Sequence, residues 1–413
     1  MTAPSLRDKA NRVAAERMCA ARPTLVGVEP AGAVVPGMTP TTILTSGPPL
    51  AWSDYYGGQR HAILSAAVYE GLAPDLDTAD AAIRENRITV ESTHDHGCVG
   101  SVAGLYTASM PVFVVEDAAT GVRGFCNMYE GESRKRLNYG VYDETVAAGL
   151  DFLRDGLAPV LAEAVRRAGG VPLTPLIARA LRMGDELHSR NTAATTLFLK
   201  ALTPVLLDMA ADGDHLAVRT AYGFLADSDY SFLRLAMAAA KVSADSARDV
   251  AHSSVVTAMS ISCREFGIRV SGTGDTWHRG PLPDVDCRLF DGFTEDDIEW
   301  MGGESHITET TGLGGFAQAA AFALQQYQGG SPQAMVDMNQ RMYQITVAEH
   351  PEYRIPFLAF RGSPVGIDVF KVVETGIQPV IDGGLAGRGG GQIGAGILRA
   401  PMECFAKAAA ALG

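Results

Sequence analysis

Two histidines one residue apart, His94 and His96 in the run ESTHDHGCVGSVAG (91–104), are the first candidates for chemistry. If the run RITVEST ahead of them is a strand that continues to His96, positions i and i+2 share a face and both imidazoles point the same way. Such a pair can chelate a metal or polarise a carbonyl oxygen, and glycines 97, 100 and 104 would let a ligand reach the backbone. A zinc site wants three or four ligands and the spacing indicates no third. A metal-free substrate site and a hydrogen-bonded polar cluster are the other readings of the same residues.

A second group lies in RMGDELHSRNTAATTLF (182–198). Read as a helix, it places Asp185, His188 and Thr192 in one stripe and makes Glu186 and Arg190 an i,i+4 pair. Asp185 would orient His188 as a general acid or base, with Arg190 and Asn191 beside it as substrate contacts. The alternative is a solvated face with one ordinary salt bridge. A third group, SCREFGIRVSGTGDTWH (262–278), carries Arg264 and Arg269, forks suited to a carboxylate or phosphate, with Glu265 and Asp275 to hold them.

The fourth group, SHITETTGLGGFAQAAAFAL (305–324), runs a turn of Glu309, Thr310, Thr311, Gly312, Gly314 and Gly315 into an alanine-rich segment. Bare glycine amides at a helix start form an anion site, here a candidate phosphate cradle, or else pack tightly on a neighbour. The GK[ST] ending of a P-loop is absent. The tail carries a further glycine-dense turn (387–396); no G-x-S-x-G elbow and no Ser/His/Asp order stands out.

These groups need elements to position them. A helix over 4–22 with Ser5 as N-cap, a strand at TLVGVEP, a hairpin of MPVFVVED and VRGFCNMYE about Gly121, and helices at about 60–71 and 76–86 make residues 1–142 a mixed α/β lobe. Residues 143–245 read as helical. Residues 246–413 return to strands with a loop or lid at 275–303, helices at GFAQAAAFALQQYQ and SPQAMVDMNQRMYQITVAEH, and glycine-rich loops. The expected fold class is α+β, multi-lobed, with two mixed α/β lobes and a helical lobe between them.

A formal net charge of −13 argues against nucleic acid as partner, while leaving room for a small anion held by local arginines. The six cysteines are scattered without a CxxC pair, the N-terminus reads as a charged helix, and no apolar run suggests a membrane span, so a reduced cytoplasmic protein is expected.

Taken together, HDHGCVGSVAG, SMPVFVVED, GDELHSRNTAATTLF, EFGIRVSGTGDTW, ITETTGLGGFA, VETGIQPVI and GQIGAGILRAPMECF resemble the YlbE-like (AllG) family, over about residues 10 to 408. The resemblance implies a subunit of oxamate carbamoyltransferase, converting oxalurate and phosphate to oxamate and carbamoyl phosphate or the reverse. It implies assembly with an FdrA-like protein and a third small subunit. No cofactor and no metal are expected. It carries over no catalytic residue. Such phosphorolysis needs an anion cradle, a carboxylate clamp, oxyanion donors and an acid for the leaving nitrogen. On this reading 311–315 hold phosphate, Arg264 or Arg269 hold an anion, His94 and His96 polarise the carbonyl, and His188 carries the proton. A non-catalytic scaffold subunit and a metal-dependent amidohydrolase are the alternatives, and a homo-oligomer is an alternative to a hetero-complex.

Overall fold

The computed structural model describes residues 5–413. Ser5 caps the helix Leu6–Ala20 through a reciprocal bond with Asp8, as its sequence predicts. The strand Thr24–Pro30 pairs antiparallel with Pro111–Asp117, which turns back as Val122–Asn127. Cys98–Val99 and Val171–Pro172 extend these into a five-stranded sheet.

The helix Ser231–Ser246 lies across this sheet and is buried along nearly its whole length. Its close approach depends on Gly124, where a Cβ would come within 2.7 Å of the Ala238 carbonyl oxygen. The helix carries two buried cations, Arg234 and Lys241, seven residues apart and so on one face. They serve different places, described below.

The stretch expected to be helical contains helices Glu144–Asp151, Ala158–Ala168, Thr174–Leu181, Thr192–Met209 and His215–Ala226. The run Thr192–Ala226 is long and apolar enough to cross a membrane by length and composition, which the sequence reading did not expect. It is kinked at Gly213 (φ 122°), and half of its most apolar window is buried inside the molecule.

The C-terminal part is built on two three-stranded sheets and a two-stranded one of Thr346–Ile355 and Arg361–Ile367, so the expected helix SPQAMVDMNQRMYQITVAEH ends at Met342 and its last residues are a strand. Of the three-stranded sheets, His278–Gly280, Phe266–Val270 and Val256–Ile261 form one; Asp284–Leu289, Gln392–Arg399 and Val380–Ala386 form the other. Strands therefore occupy part of the stretch 275–303 that reads as a loop. One apolar cluster runs from Ala14 to Val365 and draws on all three expected lobes. A second joins both three-stranded sheets to the last helix, Met402–Leu412. The class is mixed α+β with several small sheets.

Two expected helices are not formed. Residues 182–191 are an irregular turn, and the helix begins only at Thr192. Its start is held by Asp185, whose Oδ2 accepts from the Ala194 N–H at 2.8 Å. The segment after Gly314 is a chain of 3₁₀ turns, Gly314–Phe316, Gln318–Ala320 and Phe322–Leu324, before the short helix Gln325–Gln328. Bonds from the Gly314 and Gly315 amides to Glu186 and Glu309 take up the donors that would have started a longer helix there.

Candidate active site

A cavity of about 350 Å³ is lined by the helix Ser231–Ser246, the strand Val380–Ala386 and the segments 129–139 and 298–306. Its wall includes three arginines, Arg134, Arg136 and Arg234, and four tyrosines, Tyr129, Tyr139, Tyr230 and Tyr327. Arg234 is 5% exposed and donates to Asn127 Oδ1 at 3.1 Å. Arg136 donates to the Gly131 carbonyl at 3.2 Å and lies over the Tyr139 ring at 4.5 Å; Arg134 lies over Phe293 at 5.0 Å. The Nε atoms of Arg136 and Arg234 are buried without a partner. Among the described residues none of the three guanidinium groups is paired with a carboxylate. Arg134 is exposed and Arg136 half-buried, but Arg234 is buried, and a buried cation left so carries a desolvation cost of several kcal/mol that a bound anion would offset.

The same lining holds two members of a hydrogen-bonded chain of three side chains. Ser305 Oγ lies 2.8 Å from His188 Nε2, and His188 Nδ1 lies 2.8 Å from Glu309 Oε1. Ser305 and His188 line the cavity; Glu309 is fully buried behind them. The same Glu309 Oε1 accepts from the amides of Gly315 and Asp382, each at 3.0 Å, and Oε2 accepts from the Thr308 hydroxyl at 2.8 Å. Held by these donors, the Glu309 carboxylate fixes the imidazole tautomer: Nδ1 carries the proton and Nε2 accepts from Ser305.

Burial disfavours the His188 cation, yet the Glu309 charge and hydrogen bond outweigh it and raise the His188 pKa above the ordinary value. His306, beside Ser305 and stacked on Phe266, is pushed down to about 3 by burial and is neutral at physiological pH. Burial and the nearby Glu309 charge push Asp382, also on the wall, up to about 8.

The segment that carries Ser305 is rigidly held. Glu304, 0% exposed, accepts from the amides of Gly47 (3.1 Å) and Gly100 (2.8 Å) and the hydroxyls of Thr93 (2.5 Å) and Ser260 (2.9 Å). Gly302 precedes it at φ +89°; a Cβ there would press on the Ile261 and Val102 carbonyls at 3.1 and 3.2 Å. Only glycine threads this wall without strain.

Comparison with known proteins gives this architecture relatives along its whole length. A family model described as "Oxamate carbamoyltransferase subunit AllG" matches residues 88–305. The "Oxamate carbamoyltransferase subunit AllG" of Escherichia coli (strain K12) is 37% identical over 409 residues, 98% of this chain and 97% of that protein. The chain belongs to the AllG family. The "Uncharacterized protein YahG" of the same organism is 40% identical over 408 residues, 98% of this chain and 86% of that protein. A crystal structure titled as a conserved protein of unknown function from Enterococcus faecalis V583 superposes with a TM-score of 0.95, at 40% identity and 99% coverage of both chains.

In this AllG-family fold the residues singled out by sequence divide between the cavity and its supports. His188 and Glu309 meet in one bonded pair, but the partner that orients His188 is Glu309, not Asp185. Asp185 holds the helix start and has Arg190 Nε at 3.5 Å; burial raises its pKa to about 6. Glu186 makes no helical pair with Arg190. Its carboxylate accepts from the backbone N–H groups of His188, Ser189 and Arg190, and Asn191 donates to the His188 carbonyl at 2.9 Å. These bonds shape the turn that aims His188.

His94 and His96 do not share a face. Thr93–His96 is a 3₁₀ turn, not a strand, and the rings diverge. His96 is held between the Pro36 carbonyl (2.7 Å) and Glu91 (2.6 Å). His94 is fully buried between Lys241 Nζ, 3.2 Å from Nδ1, and Glu304, 3.7 Å from Nε2. Burial first, then the Lys241 and Arg269 charges, drive its pKa well below the ordinary range, so it is neutral. Neither ring lines the cavity, and the two-histidine chelate of the amidohydrolase alternative is not formed.

Arg269 is buried against Asp95, with Asp275 at 3.6 Å and Trp277 beneath it at 4.5 Å. Arg264 reaches the Asp54 carbonyl at 2.6 Å, and Glu265 pairs with Arg279 at 2.8 Å. None of Arg264, Glu265, Arg269 and Asp275 lines the cavity. The turn expected to cradle phosphate is filled by the protein's own groups. Glu309 takes the Gly315 amide, the Glu186 carbonyl takes the Gly314 amide, and the hydroxyls of Thr310 and Thr311 bond back to carbonyls in their own turn. A Cβ at Gly312 would lie 2.8 Å from Ser363 Oγ, so this glycine serves close packing.

Sequence reasoning missed Ser305, His306, the three arginines and the tyrosines. Ser305 carried a usable signal: glycines at 302 and 303 ahead of it and Glu309 four residues after it, the spacing of neighbours on a helical turn. The arginines carried none, because they come from segments about a hundred residues apart.

Proposed function

We propose that the chain takes part in carbamoyl transfer between a small ureido acid of the oxalurate type and phosphate, giving carbamoyl phosphate and an amide acid such as oxamate, or the reverse. The observation that carries this is the set of guanidinium groups without carboxylate partners in the same cavity lining as Ser305 and His188, the latter backed by Glu309. Both reactants are anions, and a cavity of about 350 Å³ is roomy enough for two small ones side by side.

On this reading Arg134, Arg136 and Arg234 hold the carboxylate and phosphate, Arg234 as the least exposed of them. His188 handles the proton that the leaving nitrogen needs, its Nε2 facing the cavity and its tautomer held by Glu309. The E. coli AllG relative, named as a carbamoyltransferase subunit, supports the same class. We place the chain in an assembly with an FdrA-like protein and a third small subunit, in the cytoplasm, where its six free cysteines stay reduced.

Calorimetric titration of the purified chain with phosphate, oxamate and carbamoyl phosphate, followed by turnover with and without partner subunits, tests the proposal. The expected result is binding of these anions that Arg234→Ala weakens. Turnover that needs partners, with no anion bound by this chain, would make it the scaffold of the complex and overturn the proposal.

A further inference from the structure

The arrangement around His188 holds more than a proton carrier. Ser305, His188 and Glu309 form a nucleophile–base–carboxylate chain, each link 2.8 Å long. In such a chain the imidazole takes the hydroxyl proton as the oxygen attacks, and the buried carboxylate stabilises the imidazolium that forms. Ser305 is partly exposed, toward the cavity, whereas His188 and Glu309 are buried. The backbone N–H groups of Ser305 and of His306, the residue after it, donate to no acceptor among the described residues. An amide from the residue after a nucleophilic serine is a recurring donor to the oxyanion of acyl transfer. The clamp on Glu304 keeps Ser305 fixed relative to His188 while bonds change.

We infer that Ser305 is a catalytic nucleophile that carries the carbamoyl group as a covalent ester, activated by His188 and Glu309. The inference rests on the proposed carbamoyl chemistry and adds an intermediate to it. Ser305 Oγ attacks the terminal carbonyl carbon of the ureido acid, and its proton passes to His188 Nε2. The oxyanion that forms is met by the Ser305 and His306 amides. The bond from that carbon to the acyl nitrogen then breaks, its electron pair going to nitrogen, which takes the proton from His188 and leaves as the amide acid. A hydrogen phosphate dianion enters, and one of its oxygens attacks the carbamoyl carbon. The C–Oγ bond breaks, and the phosphate proton returns to Oγ through His188 as carbamoyl phosphate departs. No oxidant, reductant or metal enters the balance.

Two measurements on the full chain, with its partner subunits present where turnover needs them, test the inference. A fluorophosphonate probe should label Ser305, with labelling lost in Ser305→Ala and strongly reduced in His188→Ala. With carbamoyl phosphate and isotopically labelled phosphate but no amide acid, label should exchange into carbamoyl phosphate in the wild type and not in Ser305→Ala. An unlabelled Ser305 in the wild type, or exchange and turnover undiminished in Ser305→Ala, overturns the inference. Turnover of the complete mixture without partial exchange overturns it in favour of direct transfer to phosphate. Labelled Ser305 in a protein that turns over no ureido acid would remove the proposed reaction and keep the activated nucleophile.

Discussion

Glu304 and Glu309 stand five residues apart, both fully buried, yet they do different work. Glu304 is surrounded by four neutral donors, two amides and two hydroxyls, and its nearest imidazole, His94, stays 3.7 Å away. Glu309 spends one oxygen on an imidazole at 2.8 Å that faces the cavity. The difference lies in what stands on the far side of each carboxylate. Behind Glu304 are loops that must be clamped together. Beyond Glu309 is a histidine whose second nitrogen reaches a hydroxyl open to solvent. A buried carboxylate alone does not mark a catalytic group; its route to an accessible atom does.

The sharpest way to break this contrast is Glu309→Gln. The side chain keeps its volume and, with its amide oxygen in the place of Oε1, an acceptor for the backbone amides and for His188 Nδ1, but loses the charge that stabilises the His188 cation. Turnover should fall about a thousandfold with the fold intact by circular dichroism. The matching change, Glu304→Gln, should act through stability. Two of its four donors lose their acceptor, at about 1–3 kcal/mol each in urea unfolding, and activity per folded molecule should fall far less than in Glu309→Gln.

Arg234→Ala tests the guanidinium groups of the cavity. It should weaken anion binding roughly tenfold to a hundredfold, and Arg234→Lys should recover only part, since a point charge does not replace a planar fork. Calorimetry with phosphate reads both.

The pH dependence sharpens the contrast further. The raised His188 pKa means its cation is favoured by folding, so its contribution to stability is full below the ordinary histidine value of about 6.5 and is lost as pH rises through the raised value. Activity has the opposite sign, because the base must be neutral. The acidic limb of kcat/KM should lie above the ordinary histidine range, and in Glu309→Gln the residual activity should show that limb at lower pH. Glu304→Gln should leave the limb where it is. The smallest effect is expected at the motif most conspicuous in sequence: His96→Gln should cost about 1 kcal/mol of stability through its bonds to Pro36 and Glu91, with little change in kcat.

Much of the scaffold was legible because it obeys local rules. The Ser5 capping box, the Pro111–Asp117 and Val122–Asn127 hairpin and the helix Ser231–Ser246 follow from cap, turn and period. The site was half legible. His188 and Glu309 were singled out, but with the wrong partners, because their contact spans 121 positions and no local period reports it. His94 was misjudged for a related reason. The i,i+2 argument needs a strand, and the chain leaves the strand at Ser92 for a 3₁₀ turn that only tertiary bonds to Glu304 and Lys241 explain. The glycine turn at 312–315 looked like an open anion site because sequence cannot show that Glu309 folds back onto it.

The most direct test of the central claim is a crystal structure of the protein soaked with oxamate and phosphate. The account expects an anion oxygen within hydrogen-bond distance of the Arg234 guanidinium and a ligand carbonyl or amide group within reach of Ser305 Oγ and His188 Nε2. Both anions bound elsewhere, with Arg234 and His188 untouched at saturating concentration, would contradict it.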